Sequence, residues 1–439
     1  MSRPAPELLF SDEKGGIFSY PDLEAAGMKA GRFYPLDPAE DLIPLDPSAE
    51  LFRLPDRSPV GLNPKNRQPV VLSHNPFSRT PRPCYGVAAF IGPGRTLIYH
   101  AAYRENSVSV APLPLFAYGA CVRFKGRLFT AAVLVDKDKR HDSASISMDR
   151  VRGGLRRLRT LFKKNRVVTH LNRCAVEHNC ANAKNFFLSR SEAPLPLASA
   201  CNSRCLGCIS HQSPGRFDCA QPRIAFLPSV EELAEIAIYH LEHATSPIVS
   251  FGQGCEGEPS LYPDLVERTI RRIRRGTAKG QIHLNTNGSC GRSIRNFFEA
   301  GLDSIRISLN SFKTTDYTSY YRPRGYRLKD VLESIRAAKK AGVFASVNYL
   351  TLPGFTDERG RVEALEDFLS EDCVDMIQWR NLNYDPMLYF RDLNIHCERL
   401  ELMGVRRMIE QVRRRFPKVR CGYFNPFLSA GVKKGSSDG

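Results

Sequence analysis

Apolar runs of strand length alternate with amphipathic segments through the second half of the chain. The runs lie at 195–200, 247–252, 281–286, 304–309, 344–350 and 374–379. Between them, apolar residues recur at helical spacing over 229–243, 261–275, 291–300, 328–341 and 359–370. Six strands, each followed by a helix, predict an α/β fold with a parallel sheet that is either doubly wound or curled into a partial barrel.

The flanking regions follow other patterns. Residues 1–83 hold 14 of the 30 prolines and predict extended loops with short edge strands. The following stretch to about residue 136 is rich in β patterns, and 147–166 predicts a basic amphipathic helix with Val151, Leu155, Leu158 and Leu161 on one face. We therefore expect an N-terminal α+β domain at 1–193 and a β/α domain at 194–390. The C-terminal segment 391–439 should contain a helix at about 399–416 and a disordered tail.

Composition narrows the class of protein. The 439 residues are 42% apolar, which is enough for a core and excludes general disorder. No apolar run reaches the length of a membrane helix, so no membrane partner is expected. The first residues, MSRPAPELLFSDEKGG, lack the apolar stretch of a signal peptide, and we expect a cytoplasmic protein.

Basic charge raises the question of nucleic acid. The net charge is +17, and Arg and Lys cluster at 152–166, 268–275 and 406–415. Such clusters can follow a phosphate backbone. They also contain apolar residues at helical spacing, as solvated faces of amphipathic helices do, and Phe162 is the single aromatic residue in the three stretches. Nucleic acid is therefore a possible but not the favoured partner.

Three of the 13 cysteines, Cys201, Cys205 and Cys208, lie within eight residues immediately after the first predicted strand. In a cytoplasmic protein such spacing favours metal binding over disulfides. Thiolates select zinc or iron–sulfur clusters. A closed zinc site needs a fourth ligand, for which His211 or Cys219 is near in sequence, so a non-catalytic metal-binding or electron-transfer protein remains an alternative.

Further motifs follow the other predicted strands at their carboxyl ends, where ligands bind in β/α folds. They are the segment Ser250–Pro263 with Gly257-Glu258-Pro259, then Asn285-Thr-Asn-Gly288, Ile307-Ser-Leu-Asn-Ser311, Asn348-Tyr-Leu-Thr-Leu-Pro-Gly354 and Gln378-Trp-Arg-Asn-Leu-Asn383.

Together with the CX3CX2C triplet, these motifs resemble the radical S-adenosylmethionine (radical SAM) superfamily. The resemblance covers about residues 194–390. It implies a partial (β/α)6 barrel, a [4Fe–4S] cluster on the three cysteines, and SAM chelated to the open iron. It further implies reductive SAM cleavage to a 5′-deoxyadenosyl radical that abstracts hydrogen from a substrate. A low-potential electron donor of the ferredoxin or flavodoxin type would serve such a cluster.

The same resemblance implies a set of SAM contacts on four strand ends. These residues are Glu256, Gly257, Glu258, Thr286, Asn287, Ser308, Asn310 and Asn348. Two positions depart from the family pattern. Gly207 replaces the usual bulky residue before the third cysteine, and Glu256 stands where a glycine is frequent.

Other residues are weaker candidates. Tyr321 and Arg322 follow the fourth strand, where they would meet a substrate or else anchor a loop. Cys255 is a candidate hydrogen donor or attachment point, although a cysteine there is also a common packing residue. His170, Cys174 and Cys180 have a spacing that suits a second metal, with simple burial as the alternative. The substrate is not predicted, and an RNA-modifying radical SAM enzyme remains a second alternative.

Overall fold

The computed structural model describes residues 4–138, 140, 146–289 and 291–428. The chain divides into two compact units. A strand-rich unit comprises Met1–Lys137, Leu350–Ala364 and Trp379–Arg415, and a barrel unit comprises Asp138–Tyr349, Leu365–Gln378 and Phe416–Gly439. Within the described residues, none of the helices combines the length and apolar character that crossing a bilayer requires.

An antiparallel sheet forms the strand-rich unit. Its strands are β1 (Glu7–Ser11), β2 (Ile17–Lys29), β3 (Arg32–Pro35), β4 (Leu42–Pro44), β5 (Glu50–Leu54), β6 (Arg57–Leu62), β7 (Pro69–Val71), β8 (Tyr85–Phe90), β9 (Arg95–Leu97), β10 (His100–Ala101), β11 (Tyr103–Glu105), β12 (Cys121–Phe124) and β13 (Arg127–Leu134). The main strand order is β11-β6-β2-β1-β12-β13-β4. Residues before 84 therefore contribute central strands, not only edge strands, because β2 pairs with β1, β3, β6 and β10 along its length.

Three helices open the barrel unit: α1 (Met148–Leu161), α2 (Arg166–Val176) and α3 (Ala181–Phe187). The prediction of a single helix over 147–166 is wrong at its C-terminal end, because α1 ends at Leu161. The Asn165 side chain accepts hydrogen bonds from the backbone N–H groups of Val167 and Val168, at 2.9 and 3.2 Å, and so caps a new helix. Leu161 is exposed, whereas Leu155 and Leu158 are buried as expected.

The parallel sheet of the β/α region has seven strands in chain order within the described residues. They are β14 (Arg190–Pro194), β15 (Thr245–Phe251), β16 (Gln281–Thr286), β17 (Ser304–Leu309), β18 (Phe344–Thr351), β19 (Met376–Asn381) and β20 (Arg420–Gly422). The remaining helices of the described residues are α4 (Val230–His243), α5 (Pro263–Gly276), α6 (Gly291–Ala300), α7 (Thr314–Tyr321), α8 (Leu328–Lys340), α9 (Arg359–Leu369), α10 (Pro386–Asp392) and α11 (Val405–Arg415). Of these, α10 and α11 belong to the strand-rich unit. The α/β class and the partial (β/α)6 barrel are confirmed, with β20 as an added short strand.

The first barrel strand is displaced from its predicted position. It covers 190–194, not 195–200, because Leu195 makes the last bond to β15, from its N–H to the Ser250 carbonyl at 2.8 Å. The next N–H groups, of Leu197 and Ala198, donate to the Glu256 carboxylate instead. The apolar run 195–200 is therefore a loop, buried over 195–198, whose backbone bonds to a side chain instead of to a neighbouring strand.

The compact units also differ from the consecutive segments expected from chain order. Helices α1–α3 belong to the barrel unit, and 379–415 belongs to the strand-rich unit. Within the strand-rich unit, the buried Arg57 guanidinium donates to the buried Asp385 carboxylate at 2.8 Å, and the Leu113 N–H donates to the same oxygen. A buried ion pair between residues so far apart in sequence cannot be read from local periodicity.

A polar clasp, formed by Glu192, Asn425 and Gln378, joins the first and sixth strands of the parallel sheet, β14 and β19. The Gln378 amide on β19 donates to the Asn425 oxygen at 2.9 Å. The Asn425 amide in turn donates to the Glu192 carboxylate on β14, also at 2.9 Å. Four strands separate β14 from β19 in the sheet order, so one side chain can reach both only because the sheet curls.

Candidate functional site

The cysteine loop, residues 201–208, leaves the carboxyl end of β14. Its three thiols are half-buried, and none is in a disulfide. Burial raises the pKa of Cys201 and raises that of Cys205 further, and the neighbouring thiols of the triplet add to both shifts. The three sulfurs are thus close enough to repel one another as thiolates, and a bound cation would relieve that repulsion.

A basic side chain faces this loop. The Arg223 guanidinium lies 3.7 Å from the Cys208 sulfur and also donates to the Ser210 hydroxyl at 3.1 Å. Its charge lowers the pKa of Cys201 and Cys205, against the effect of burial. His211 and Cys219, the alternative fourth ligands, are both exposed.

Gly257 holds the start of the cysteine loop through its backbone. Its N–H donates to the Ala198 carbonyl at 2.6 Å, and the next N–H, of Glu258, donates to the Ala200 carbonyl at 2.8 Å. A Cβ atom at position 257 would lie 2.0 Å from the Ala200 oxygen. Only glycine allows this approach, which fixes the residue directly before Cys201.

Glu256, the departure from the family pattern, braces the backbone. One carboxylate oxygen accepts from the N–H groups of Leu197 and Ala198, and the other accepts from Gly252 and Gln253, at 2.6 to 3.0 Å. Burial raises the pKa of this carboxyl to about 7. Its oxygens are engaged within the protein, so a SAM contact at Glu256 remains only a prediction.

Glu258 joins the second and third strand ends. Its buried carboxylate accepts from the Thr286 hydroxyl at 2.5 Å, from the Asn287 N–H at 2.7 Å and from the Ser260 N–H at 3.0 Å. Burial raises the pKa of this carboxyl, and these donors oppose the shift. The two predicted SAM-binding segments therefore form one connected structure.

Asn287 reaches from the end of β16 to the cysteine loop. Its amide donates to the Asn202 oxygen at 2.7 Å and to the Ser203 hydroxyl at 3.1 Å. The Ser203 hydroxyl also lies 2.6 Å from the Tyr326 hydroxyl. Asn202 and Ser203, which lie between the first two cysteines, are thus held by side chains of the loops that follow the later barrel strands.

The end of α7 supports the other half of the loop. The N–H groups of Arg204 and Leu206 donate to the carbonyls of Tyr321 and Tyr320, both at 3.0 Å. The Tyr321 ring is buried and stacks on Tyr317 with a centroid distance of 4.6 Å. Arg322 is exposed and ends the helix in a left-handed conformation with φ 47°. Sequence reasoning missed α7, and with it the role of Tyr320 and Tyr321 as loop supports.

Ser308 and Asn348 are direct neighbours on β17 and β18. The Asn348 amide donates to the Ser308 hydroxyl at 3.0 Å, and both residues are half-buried. Among the described residues, the buried Asn348 oxygen has no hydrogen-bond partner, nor has the Tyr321 hydroxyl. Asn310 is fully buried, and its amide donates to the Asp316 carbonyl at 3.2 Å. An orphaned acceptor beside a hydroxyl suits a ligand that carries hydroxyl or amino groups.

Cys255 does not lie among these groups. It is buried and joins His170 and Cys174 in a compact set whose ligand atoms all lie within 4.8 Å of one another. Its role as a hydrogen donor or attachment point for a substrate remains a prediction.

The family comparison agrees with the geometry. The model described as "Radical SAM superfamily" matches residues 195–365. Residues 195–365 belong to the radical SAM superfamily. Members of this superfamily use a [4Fe–4S] cluster and SAM, and the thiol triplet, the glycine cradle and the orphaned polar acceptor suit those two groups.

Curated relatives are similar over a part of their length. A GTP 3′,8-cyclase of Lactiplantibacillus plantarum is 30% identical over 148 residues, which are 33% of this chain and 41% of the relative. Molybdenum cofactor biosynthesis protein 1 of Drosophila melanogaster is 26% identical over 228 residues, 52% of this chain and 36% of the relative. The chain thus spans about two fifths of the length of the curated relatives it matches.

Solved structures of the superfamily are similar only loosely. Methylornithine synthase (PylB) is 16% identical with a TM-score of 0.36, over 64% of this chain and 77% of that chain. Streptococcus suis SuiB bound to S-adenosylmethionine is 14% identical with a TM-score of 0.39, over 61% of this chain and 62% of that chain.

Proposed function

We propose that this protein is a radical SAM enzyme. In this proposal Cys201, Cys205 and Cys208 hold a [4Fe–4S] cluster, and SAM binds across the carboxyl ends of the barrel strands. The reduced cluster, when present, supplies one electron that splits SAM into methionine and a 5′-deoxyadenosyl radical able to take a hydrogen atom from a substrate.

The observation that carries the proposal is the convergence of three strand-end segments on one cysteine loop. Gly257 after β15, Asn287 after β16 and Tyr320–Tyr321 on α7 all bond to residues 198–206. A zinc or redox module needs only its ligands. A loop held at so many points favours a site that must align a second ligand with the metal.

The chain's own residues have defined tasks in this proposal. Gly257 and Glu258 fix the backbone before Cys201, and Asn287 fixes Asn202 and Ser203. Ser308 and Asn348 offer a hydroxyl, an amide and an acceptor for the sugar or base of SAM. Arg223 places a positive charge beside Cys208, which stabilises the negative charge of a thiolate-ligated cluster.

Anaerobic reconstitution tests the proposal. The purified chain is given iron, sulfide, SAM and a chemical reductant, and 5′-deoxyadenosine is measured. We expect its formation by the natural chain and its loss in Cys205→Ala, whereas Cys373→Ala, which changes a buried cysteine elsewhere, retains it. Equal 5′-deoxyadenosine from Cys205→Ala would contradict the proposal.

Electron supply and substrate are proposed at a coarser level. A ferredoxin or flavodoxin would deliver the low-potential electron. We do not extend the substrate of the GTP 3′,8-cyclases to this chain, because the likeness covers about 40% of those relatives. Deuterium transfer from a labelled cell extract into 5′-deoxyadenosine identifies the substrate without that assumption. Salt-dependent binding of bulk RNA would favour the RNA-modifying alternative.

A further inference from the structure

Three metal-ligating side chains come together in the barrel unit, apart from the CX3CX2C loop, and a fourth lies at the adjacent turn. His170 and Cys174 lie on α2, Cys180 is the cap residue before α3, and Cys255 lies in the loop after β15. The spacing of four places His170 and Cys174 on one face of the helix. Cys255 comes from a segment 81 residues after Cys174 in the sequence, so only the fold brings it here.

Distances between the ligand atoms are those of a single ion. His170 Nε2 lies 3.5 Å from the Cys174 sulfur, and the ligand atoms of His170, Cys174 and Cys255 are all within 4.8 Å of one another. In tetrahedral zinc, bonds of about 2.0 to 2.3 Å put neighbouring ligand atoms about 3.4 to 3.8 Å apart. The cysteines of a cubane cluster bind different iron atoms and are spread more widely. The compact set therefore favours a mononuclear ion.

Cys180 is the candidate for a fourth ligand, at the turn between α2 and α3. The Cys180 N–H donates to the Cys174 carbonyl at 2.9 Å, which fixes the turn between α2 and α3. The Cys180 thiol is not among the mutually close ligand atoms, so a four-ligand site requires the Cys180 side chain to turn toward the other three. Cys174 and Cys255 are buried, so a metal there would be shielded from solvent on two sides.

We propose that His170, Cys174, Cys180 and Cys255 bind one zinc ion in a closed, tetrahedral site of three thiolates and one imidazole. This donor set of three soft sulfurs and one nitrogen selects zinc among the common metals. Binding displaces the thiol protons to solvent and changes no oxidation state. The ion would tie the helical segment 166–187 to the loop that continues into Glu256 and Gly257. This inference does not depend on the proposed SAM chemistry.

The test uses the full chain carrying Cys205→Ala, which removes the iron–sulfur site. Zinc is measured by elemental analysis after extensive dialysis. We expect about one zinc per chain, and at least about a tenfold lower content when Cys174→Ser or Cys255→Ser is added. Cys84→Ser and Cys373→Ser are the matched controls, because they change buried cysteines outside the set and should leave the zinc content unchanged.

Further variants separate ligation from folding. His170→Cys should keep the zinc, since it creates a set of four thiolates, whereas His170→Ala should weaken zinc binding about tenfold or more in a chelator competition. Cobalt substitution should give the visible absorption of a tetrahedral thiolate complex, and Cys180→Ser should change it.

Several outcomes would overturn the proposal. A zinc content below about a tenth per chain in the Cys205→Ala background would do so. An equal loss in the Cys84→Ser control, or iron and sulfide held on these residues, would do the same. A cobalt spectrum unchanged by Cys180→Ser would contradict the closed site. Failure of SAM cleavage in the natural chain, with zinc retained, would count against the proposed function alone.

Discussion

Gly257 is constrained both by its place in a predicted binding motif and by the backbone that packs against it. The sequence marks the Gly-Glu-Pro segment as a SAM-binding motif, and the structure adds a second reason for its glycine. Any side chain at this position would collide with the carbonyl of Ala200, the residue directly before Cys201.

We expect Gly257→Ala to impair cluster assembly. The added methyl group must displace the Ala200 carbonyl and therefore Cys201, so reconstituted protein should hold at least about tenfold less cluster iron. Iron and sulfide per chain measure the effect. Gly153→Ala on α1 is the control, because open space surrounds that glycine. A Gly257→Ala chain with a full cluster would show that the loop tolerates the displacement.

The buried side chain of His240 should make the stability of the fold depend on pH. It is fully buried, its Nε2 bonds to the Ser191 carbonyl at 2.8 Å, and burial lowers its pKa to about 4. Below pH 6.5 the unfolded chain binds a proton that folded His240 does not take until about pH 4. Stability that is present above pH 6.5 is therefore lost as the pH falls through this window, by about 3 kcal/mol for this group.

Urea unfolding between pH 7 and pH 4 measures this loss. His240→Gln should flatten the dependence of the free energy of unfolding on pH. His243→Gln changes an exposed histidine on the same helix and should leave the dependence intact. Parallel curves for the natural chain and His240→Gln would contradict the assignment.

Site residues in this protein can be predicted from the sequence where a single loop contains the whole motif. The cysteine triplet can be found from its spacing, and Gly257 from the resemblance of its segment to a family motif. The role of Glu256 cannot, because its carboxylate accepts from backbone N–H groups about 60 residues earlier in the chain as well as from its own turn. Nothing local in the sequence marks such a contact.

At the scale of elements, the cysteine loop depends on segments that do not look like metal sites. The turn after β16 and the last turn of α7 supply most of the hydrogen bonds to residues 202–206. The sequence predicts β16 and its Asn-Thr-Asn-Gly motif with correct bounds. It does not reveal α7, because the tyrosine-rich run resembles a substrate-facing loop.

We expect Asn287→Ala to loosen the cluster without unfolding the barrel. The change removes two hydrogen bonds to the loop, each worth about 1 kcal/mol, so a chelator should extract iron roughly thirtyfold faster. The rate of iron release measures this. Asn63→Ala, in an exposed turn of the strand-rich unit, should release iron at the natural rate. Equal rates for the two variants would remove Asn287 from the support.

At the scale of the whole molecule, the division of the chain into two units could not be predicted from the sequence. Strand and helix types in the barrel follow from periodicity, whereas the assignment of 379–415 to the strand-rich unit follows from buried pairs such as Arg57–Asp385. The first strand is displaced from its predicted position for a related reason, since apolar residues 195–200 pack in a loop instead of a sheet. Distant contacts decide both features.

We expect Asn425→Ala to open the barrel at the polar clasp. The substitution leaves the buried Gln378 amide and the Glu192 carboxylate each without this partner, at a cost of about 2 kcal/mol. Hydrogen exchange of β14 and β19 amides should accelerate. Asn66→Ala, an exposed position, should leave it unchanged. Unchanged protection in Asn425→Ala would mean that the clasp does not hold the barrel closed.

The polar clasp also sets an order of events during synthesis. A ribosome releases Cys255, the last of the proposed zinc ligands, 170 residues before it releases Asn425. The nascent chain can therefore form the His170–Cys255 set while its barrel is still open. The loop that contains Cys201 can be fully supported only after α7 and Asn425 have been synthesised. We expect zinc to be acquired on the ribosome, and the iron–sulfur cluster only by the finished chain.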